Sequence, residues 1–186
     1  MTRKKIAILI VLLLIADQIV KLLVKTSMFE GESIRLLGDW LQLRYVENPG
    51  AAFGMQLGGS YGKLILSLFR IVAVGVIGWY IGRLVKRNAP AGVIVGFSLI
   101  FAGAVGNIID SVFYGVIFGE APLLYGHVVD MIYLHLFRWE SVPRWLSFLV
   151  DGEGYFFGPV FNLADSYISV AVVYLALFQH KFFKEL

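Results

Sequence analysis

Two aspartates lie in or beside strongly apolar sequence: Asp130 in Val128-Val129-Asp130, and Asp165 in Asn162-Leu163-Ala164-Asp165. A carboxylate inside hydrocarbon costs roughly 2.5–3.5 kcal/mol on insertion scales, so its presence there marks a functional site by default. Two close carboxylates cannot both ionise easily. They share one proton, and so hold a general acid and a general base together. One can activate water while the other polarises a scissile carbonyl, and the roles exchange as the tetrahedral intermediate collapses. Such a pair titrates as a unit, and no covalent intermediate is needed. Neither aspartate has a basic partner close in sequence, so a simple structural ion pair does not account for them.

Other polar residues interrupt apolar runs at helical spacing. Asn107 and Asp110 are three apart, as are Asn162 and Asp165, and Ser169 extends the second face by a further turn. Asp17 and Lys21 are four apart, the spacing of an internal ion pair that neutralises two costly charges. Asn107 and Asn162 could equally be hydrogen-bonding glue between helices. Arg70 is set in apolar sequence too, where it can snorkel or pair with an acid, and its position alone assigns it no role.

Several other chemistries fail. Gly58-Gly59-Ser60-Tyr61-Gly62 fits the Gly-x-Ser-x-Gly pattern, but a serine hydrolase needs a sharp strand-to-helix turn and an acid and a histidine in order. Glycines and a serine before a helix are ordinary turn and cap chemistry. No His-Glu-x-x-His is present, and His127 with Asp130 is a weak metal pair. No metal site and no cofactor is expected. The chain has no cysteine, which excludes disulfides, thiolate metal sites and a cysteine nucleophile.

The elements that must position these groups are membrane spans. The chain has 186 residues and is 59% hydrophobic, against roughly 45–50% in soluble domains, and its mean hydropathy is +0.78. Four stretches are long enough to cross a bilayer, at about 6–24, 64–85, 91–109 and 160–178. The first resembles a signal peptide, but it runs on past Asp17 and Lys21 with no small-residue cleavage site, so it is read as a retained helix. Basic residues at Arg3-Lys4-Lys5, at Arg83, Lys86 and Arg87, and at Lys181 and Lys184 put both termini and the second connection in the cytoplasm. On that topology every intramembrane acid or amide cluster falls in the outer half of the bilayer. Gly78 with Gly82, Gly92 with Gly96, and Ala102 with Gly106 have the small-xxx-small spacing of close helix packing. A net charge of +3 without a basic stripe on a soluble face argues against nucleic-acid binding.

Two outer segments remain. In the first, about 30–55, Ser33–Leu37 and the alternating Leu41–Tyr45 flank a Gly-Asp turn, and Asn48-Pro49-Gly50 ends the second strand. A small amphipathic sheet at the outer surface follows. The second, about 110–159, is far longer than the roughly 12–15 residues beyond which a loop is usually functional or disordered. It holds Trp139, Trp145, Phe148, Tyr155, Phe156 and Phe157, aromatics that favour the headgroup layer. A short surface helix near Pro143–Val150, on or over the site, is expected.

At these residues the chain closely resembles the lipoprotein signal peptidase family, the type II signal peptidases of bacteria. Five motifs in order carry the resemblance: Asp17-Gln18-x-x-Lys21; Asn48-Pro49-Gly50-Ala51-Ala52-Phe53-Gly54; Gly103-Ala104-Val105-Gly106-Asn107-Ile108-Ile109-Asp110; Val128-Val129-Asp130; and Phe161-Asn162-Leu163-Ala164-Asp165. The resemblance implies an aspartyl peptidase of the bacterial inner membrane. Its substrates would be prolipoproteins cut just before a cysteine that already carries diacylglyceryl. It further implies that Asp130 and Asp165 are catalytic and that Asn48, Asn107, Asp110 and Asn162 line or shape the pocket, with Asp17 and Lys21 in support. Membrane lipid and globomycin-type peptide inhibitors are implied as partners, and an outer β-cradle and a lid as parts of the fold. Family members commonly have arginine after the third-motif aspartate, where this chain has Ser111. That leaves the arginine's task open to another residue such as Arg138 or Arg44.

The expected fold is therefore integral membrane and mainly α, one membrane domain of four helices with a small extracytoplasmic β-cradle and an outer lid. The rival function is a proton-coupled transporter using the same acids as a relay. Such proteins usually show inverted repeats and midplane sites; here the acids cluster to one side and no repeat is evident.

Overall fold

Helix α1 (Arg3–Ser27) reverses the pattern of a soluble amphipathic helix. Its buried residues are Ile6, Asp17, Lys21 and Val24, while Ile8, Val11, Leu12, Ile15, Ile19 and Leu23 are exposed. Burying the charges and presenting the aliphatics is the arrangement that hydrocarbon solvent selects. In this computed structural model the described residues are 1–49, 59–139, 141–150, 154–155 and 159–183. Gly50 to Gly54 of the second motif, the extension of the first outer segment to 55, Gly58, Phe156, Phe157 and Lys184 lie outside them. So do the side chains of Ser60, Trp145, Phe148 and Lys181.

Helix α2 (Gly59–Lys86) also shows apolar side chains outward, among them Ile65, Phe69, Val72, Val76 and Trp79. Arg83 and Lys86 occupy its last turn. The turn to the next helix is closed by Asn88 in the left-handed region (φ 53°) and by an Ala89 N–H to Leu84 carbonyl bond of 3.0 Å, a Schellman-type stop. Pro90 then precedes α3 (Ala91–Ile109). This third helix is the central one, packed on α1, α2 and the last helix, α5 (Leu163–Phe183). It buries Val93, Ile94, Gly96, Ser98, Ala102, Gly103, Gly106 and Asn107.

Small residues decide how closely α3 is approached. A Cβ at Gly103 would sit 2.4 Å from the Ala164 carbonyl oxygen, and one at Gly96 would sit 2.8 Å from the Leu175 side chain. A Cβ at Gly78 would meet Phe101 at 3.0 Å, whereas Gly82 faces open space. Small-residue packing thus holds for Gly78, Gly96, Ala102 and Gly106, and not for Gly82.

The third span does not end at 109 as its spacing predicts. It continues through a π segment (Asp110–Tyr114) and a last turn, α4 (Gly115–Ile117), so Ala91–Ile117 forms one apolar stretch of 27 residues. The π segment buries Asp110, Ser111, Val112 and Tyr114; π-bulges occur mostly inside α-helices and often at functional sites. The chain folds back onto it, with Gly126 N–H to Ser111 carbonyl at 3.0 Å and Leu124 N–H to Val112 carbonyl at 3.1 Å.

Among the described residues the sheet has three strands rather than two. β1 (Ser33–Leu37), β2 (Leu41–Asn48) and β3 (Val128–Leu134) are antiparallel in that order. β3 comes from the segment read as an outer loop. Its burial on nearly every residue removes the period-2 signal that would have marked it. Register sets Val46 opposite Asp130 and Asn48 opposite Val128. A short 3-10 helix (Arg144–Leu149) stands where the surface helix is expected. Phe161 then bridges back to Ile132, with paired bonds of 2.7 and 3.0 Å. Helix α5 (Leu163–Phe183) begins immediately after. Among the described residues three helices are long and apolar enough to cross a membrane, within Arg3–Ser27, Tyr61–Lys86 and Ala91–Ile117; the apolar part of α5, Leu163–Phe178, is shorter.

Candidate active site

Asn162 ends the bridged segment and caps α5. Its side-chain oxygen accepts from the Asp165 N–H at 2.9 Å, and its own N–H donates to Asp165 Oδ2 at 3.3 Å. This is the reciprocal capping-box arrangement, with asparagine and aspartate in the usual roles of serine and glutamate. The three-residue spacing seen in the sequence is therefore a cap, and it fixes the Asp165 carboxylate at the helix N-terminus.

The same amide reaches the other aspartate. Asn162 Nδ2 donates to Asp130 Oδ1 at 2.7 Å and to Asn107 Oδ1 at 3.0 Å. Asn107 Nδ2 in turn donates to Asp165 Oδ1 at 2.8 Å. Asn48 Nδ2, at the end of β2, donates to Asp130 Oδ2 at 3.1 Å. Three amides from a strand, a span and a helix cap thus hold both carboxylates, and Asn162 touches each of them. Asp130 is only 3% exposed, while Asp165 is half-buried. Burial, and then the charge of Asp165, push the Asp130 carboxyl up to about 7 despite the bonds from Asn48 and Asn162.

Beneath this pair lies a buried charge cluster. Lys21 Nζ contacts Asp17 Oδ2 at 3.0 Å, Asp110 Oδ2 at 2.7 Å and Asn107 Oδ1 at 2.9 Å. Lys21, Asp17 and Asp110 are each fully buried. Asp17 Oδ1 also accepts from the Ala164 N–H at 3.0 Å, so α1 helps to cap α5. A Cβ at Gly106 would fall 2.6 Å from Asp17 Oδ2; only glycine admits the carboxylate there. The pairing of Asp17 with Lys21 is as the spacing predicts. Asp110 joins this cluster and also accepts from the Val129 N–H at 3.4 Å; it has no direct bond to Asp130 or Asp165 among the described residues.

Three further contributors are residues to which the sequence assigns no role of their own. Gln18 Nε2 donates to Asp110 Oδ1 at 3.0 Å and Asp17 Oδ2 at 3.1 Å, and Tyr114 OH donates to Gln18 Oε1 at 3.1 Å. A lone amide in an apolar span was the available signal for Gln18. The third is Arg70, whose Nη1 donates to Ser111 Oγ at 3.0 Å. Arg44 instead lies over the Tyr133 ring at 5.0 Å, and the Arg138 backbone bridges to Tyr155. Ser169 is exposed and does not extend the polar face. His127 and His135 lie elsewhere: His127 bonds Glu47 at 3.1 Å, and His135 stacks on Tyr155 at 4.2 Å.

Comparison with known proteins gives a consistent result. The family model described as signal peptidase (SPase) II matches residues 9–181. A lipoprotein signal peptidase of Porphyromonas gingivalis is 47% identical over 189 aligned residues, covering 92% of this chain and 81% of its own. One from Amoebophilus asiaticus is 42% identical, covering 89% of this chain and 73% of its own. A bacterial membrane enzyme solved by the in meso method at 2.3 Å resolution superposes with a TM-score of 0.68 at 25% identity, covering 96% of this chain and 89% of that one.

Proposed function

This chain belongs to the signal peptidase II family, and on that premise we propose that it cleaves signal peptides from diacylglyceryl-modified prolipoproteins as an aspartic endopeptidase. Asp130 and Asp165 are the catalytic pair. The observation that carries this is Asn162, whose amide and backbone bond both carboxylates while burial raises Asp130 toward neutrality. One proton is then shared by the pair near neutral pH. The ionised carboxylate takes a proton from water as the water oxygen attacks the scissile carbonyl carbon. The protonated one donates a hydrogen bond to the carbonyl oxygen. On collapse, a proton passes to the leaving nitrogen of the cysteine, the C–N bond breaks, and the pair returns to its starting state. Asn48, Asn107 and Asn162 hold the carboxylates in place, and Asp17, Lys21 and Asp110 form the base on which Asn107 and α5 rest.

In this reading α5 is the fourth span, both termini are cytoplasmic, and the site opens to the extracytoplasmic side of the bacterial inner membrane. The β-sheet is the outer cradle and the segment around Arg144–Leu149 belongs to the lid. A lipidated precursor is already held in the bilayer, where each buried CH₂ contributes about 0.8 kcal/mol. Globomycin-type peptides would occupy the same groove as inhibitors. The family match gives no support to a proton-coupled transporter.

The test is incubation of the purified protein with a diacylglyceryl-modified prolipoprotein, read by mass spectrometry. The expected result is loss of a mass equal to the signal peptide. Asp130→Asn and Asp165→Asn each nearly abolish it while remaining folded, and the double variant is little worse than either single one. The unlipidated precursor is cleaved at least tens of times more slowly in the same micelles, given two acyl chains of binding energy. Equal kcat/KM for the two precursors refutes the lipid-anchored mechanism.

A further inference from the structure

Arg70 is a cation within α2, on the face that also presents Lys63 and Ser67 at spacings of seven and three residues. Ser67 Oγ donates to the Leu124 carbonyl at 2.9 Å, which turns this face toward the π segment and the chain folded behind it. Arg70 Nη1 donates to the Oγ of Ser111, which is fully buried beside Asp110. Among the described residues that hydroxyl is its one hydrogen-bond partner, and no carboxylate lies within 4.0 Å of it. A guanidinium carries five N–H donors, so most of its donor capacity is uncommitted. Asp165, Asp130 and Asp110 are the carboxylates whose charges act on it, each from beyond 4.0 Å. A half-buried cation within an apolar helix, with one neutral partner, is costly to keep; its anchor Ser111 follows Asp110, whose Oδ2 accepts from the Val129 N–H next to Asp130 at 3.4 Å.

We propose that Arg70, anchored by Ser111, is a substrate-binding residue whose free N–H groups hold a backbone carbonyl of the signal peptide next to the bond cleaved by Asp130 and Asp165. The inference rests on the aspartic peptidase reading above. A charged fork donating to a carbonyl gives a charge-assisted hydrogen bond with fixed geometry. Ser111 suits this arrangement for a simple reason. A hydroxyl accepts from the guanidinium of α2, whereas an arginine side chain at 111 would place a like charge against it. The guanidinium thus reaches the site from α2, not from the helix that carries Asp110.

The experiment measures kcat and KM of the purified full chain on the lipidated precursor for Arg70→Gln, Arg70→Lys and Ser111→Ala, with Asp130→Asn as control. Arg70→Gln should lower kcat/KM at least about tenfold, mainly through KM, the scale of one hydrogen bond to a charged group. Its apparent Tm should not fall, because an uncompensated charge has been removed. Arg70→Lys should recover part of the loss, since the charge stays and the fork does not. Ser111→Ala should show a smaller loss in the same direction. Wild-type kcat/KM in Arg70→Gln, with Asp130→Asn inactive, overturns the inference and leaves the peptidase reading standing. A fall in kcat at unchanged KM, together with a lower Tm, makes Arg70 a structural residue and also overturns it. Cleavage by Asp130→Asn at the wild-type rate removes the reading and the inference together.

Discussion

Replacing Lys21 tests the cluster beneath the site most directly. Lys21→Met keeps the volume and removes one cation from between two fully buried carboxylates, 3.0 Å from Asp17 and 2.7 Å from Asp110. Breaking a buried ion pair by removing one partner costs about 3–5 kcal/mol. For a chain of this size that corresponds to a fall of roughly 6–20 °C in apparent Tm. The compensating variant is decided by what else each acid does. Asp17 also caps α5 through the Ala164 N–H, so its removal adds the loss of a cap, about 1 kcal/mol. Asp110 keeps Gln18 as a donor to the amide oxygen that replaces its carboxylate. Lys21→Met with Asp110→Asn should therefore recover more stability than Lys21→Ala with Asp17→Ala. The assay is thermal unfolding in detergent by tryptophan fluorescence, arranged as a double-mutant cycle. The Lys21–Asp110 coupling should be at least about 1 kcal/mol, and additivity within about 0.5 kcal/mol would refute the shared-cation account.

Four further outcomes rest on the same geometry. Burial and Asp165 raise the Asp130 carboxyl to about 7, above about 3.9 for an unfolded aspartate, so the folded state binds the extra proton. That contribution to stability is complete below about pH 4 and is lost as pH rises through about 7, so the wild-type Tm should fall across this window relative to Asp130→Asn. The shared proton is lost over the same upper limb, so kcat/KM should decline above about pH 7; a flat profile to pH 9 would count against the pair. Asn162→Ala removes bonds to both aspartates and to Asn107, and should cut kcat/KM by about a hundredfold or more while KM changes little. Gly103→Ala sets a methyl 2.4 Å from the Ala164 carbonyl; circular dichroism melts should show a loss of about 1–3 kcal/mol, with activity falling as α5 is displaced.

Long apolar runs interrupted by rare polar residues are legible without a structure, because hydrocarbon tolerates such residues only in particular places. This is why Asp17 with Lys21, and Asn162 with Asp165, stand out by spacing alone: both interactions are local, within one turn of helix. Asp130 stood out by its apolar setting, but not the strand that carries it. A strand buried on both faces has no alternation, and its partner β2 lies in another part of the chain.

The assembly of the site belongs to the tertiary structure. Asn48 reaches Asp130 across 82 residues of sequence, and Asn162 reaches it across 32. Neither contact has a period or a spacing that could announce it. They depend on the β2–β3 register and on the Phe161–Ile132 bridge that delivers α5 to the end of the sheet. The π segment likewise sets Asp110 against Lys21 and Ser111 against Arg70, where spacing alone gave only a face shared by Asn107 and Asp110. Side-chain type sets the cost of a polar group in a membrane, and sequence states that directly. Which group relieves that cost is a matter of distance in space, and only the packed chain decides it.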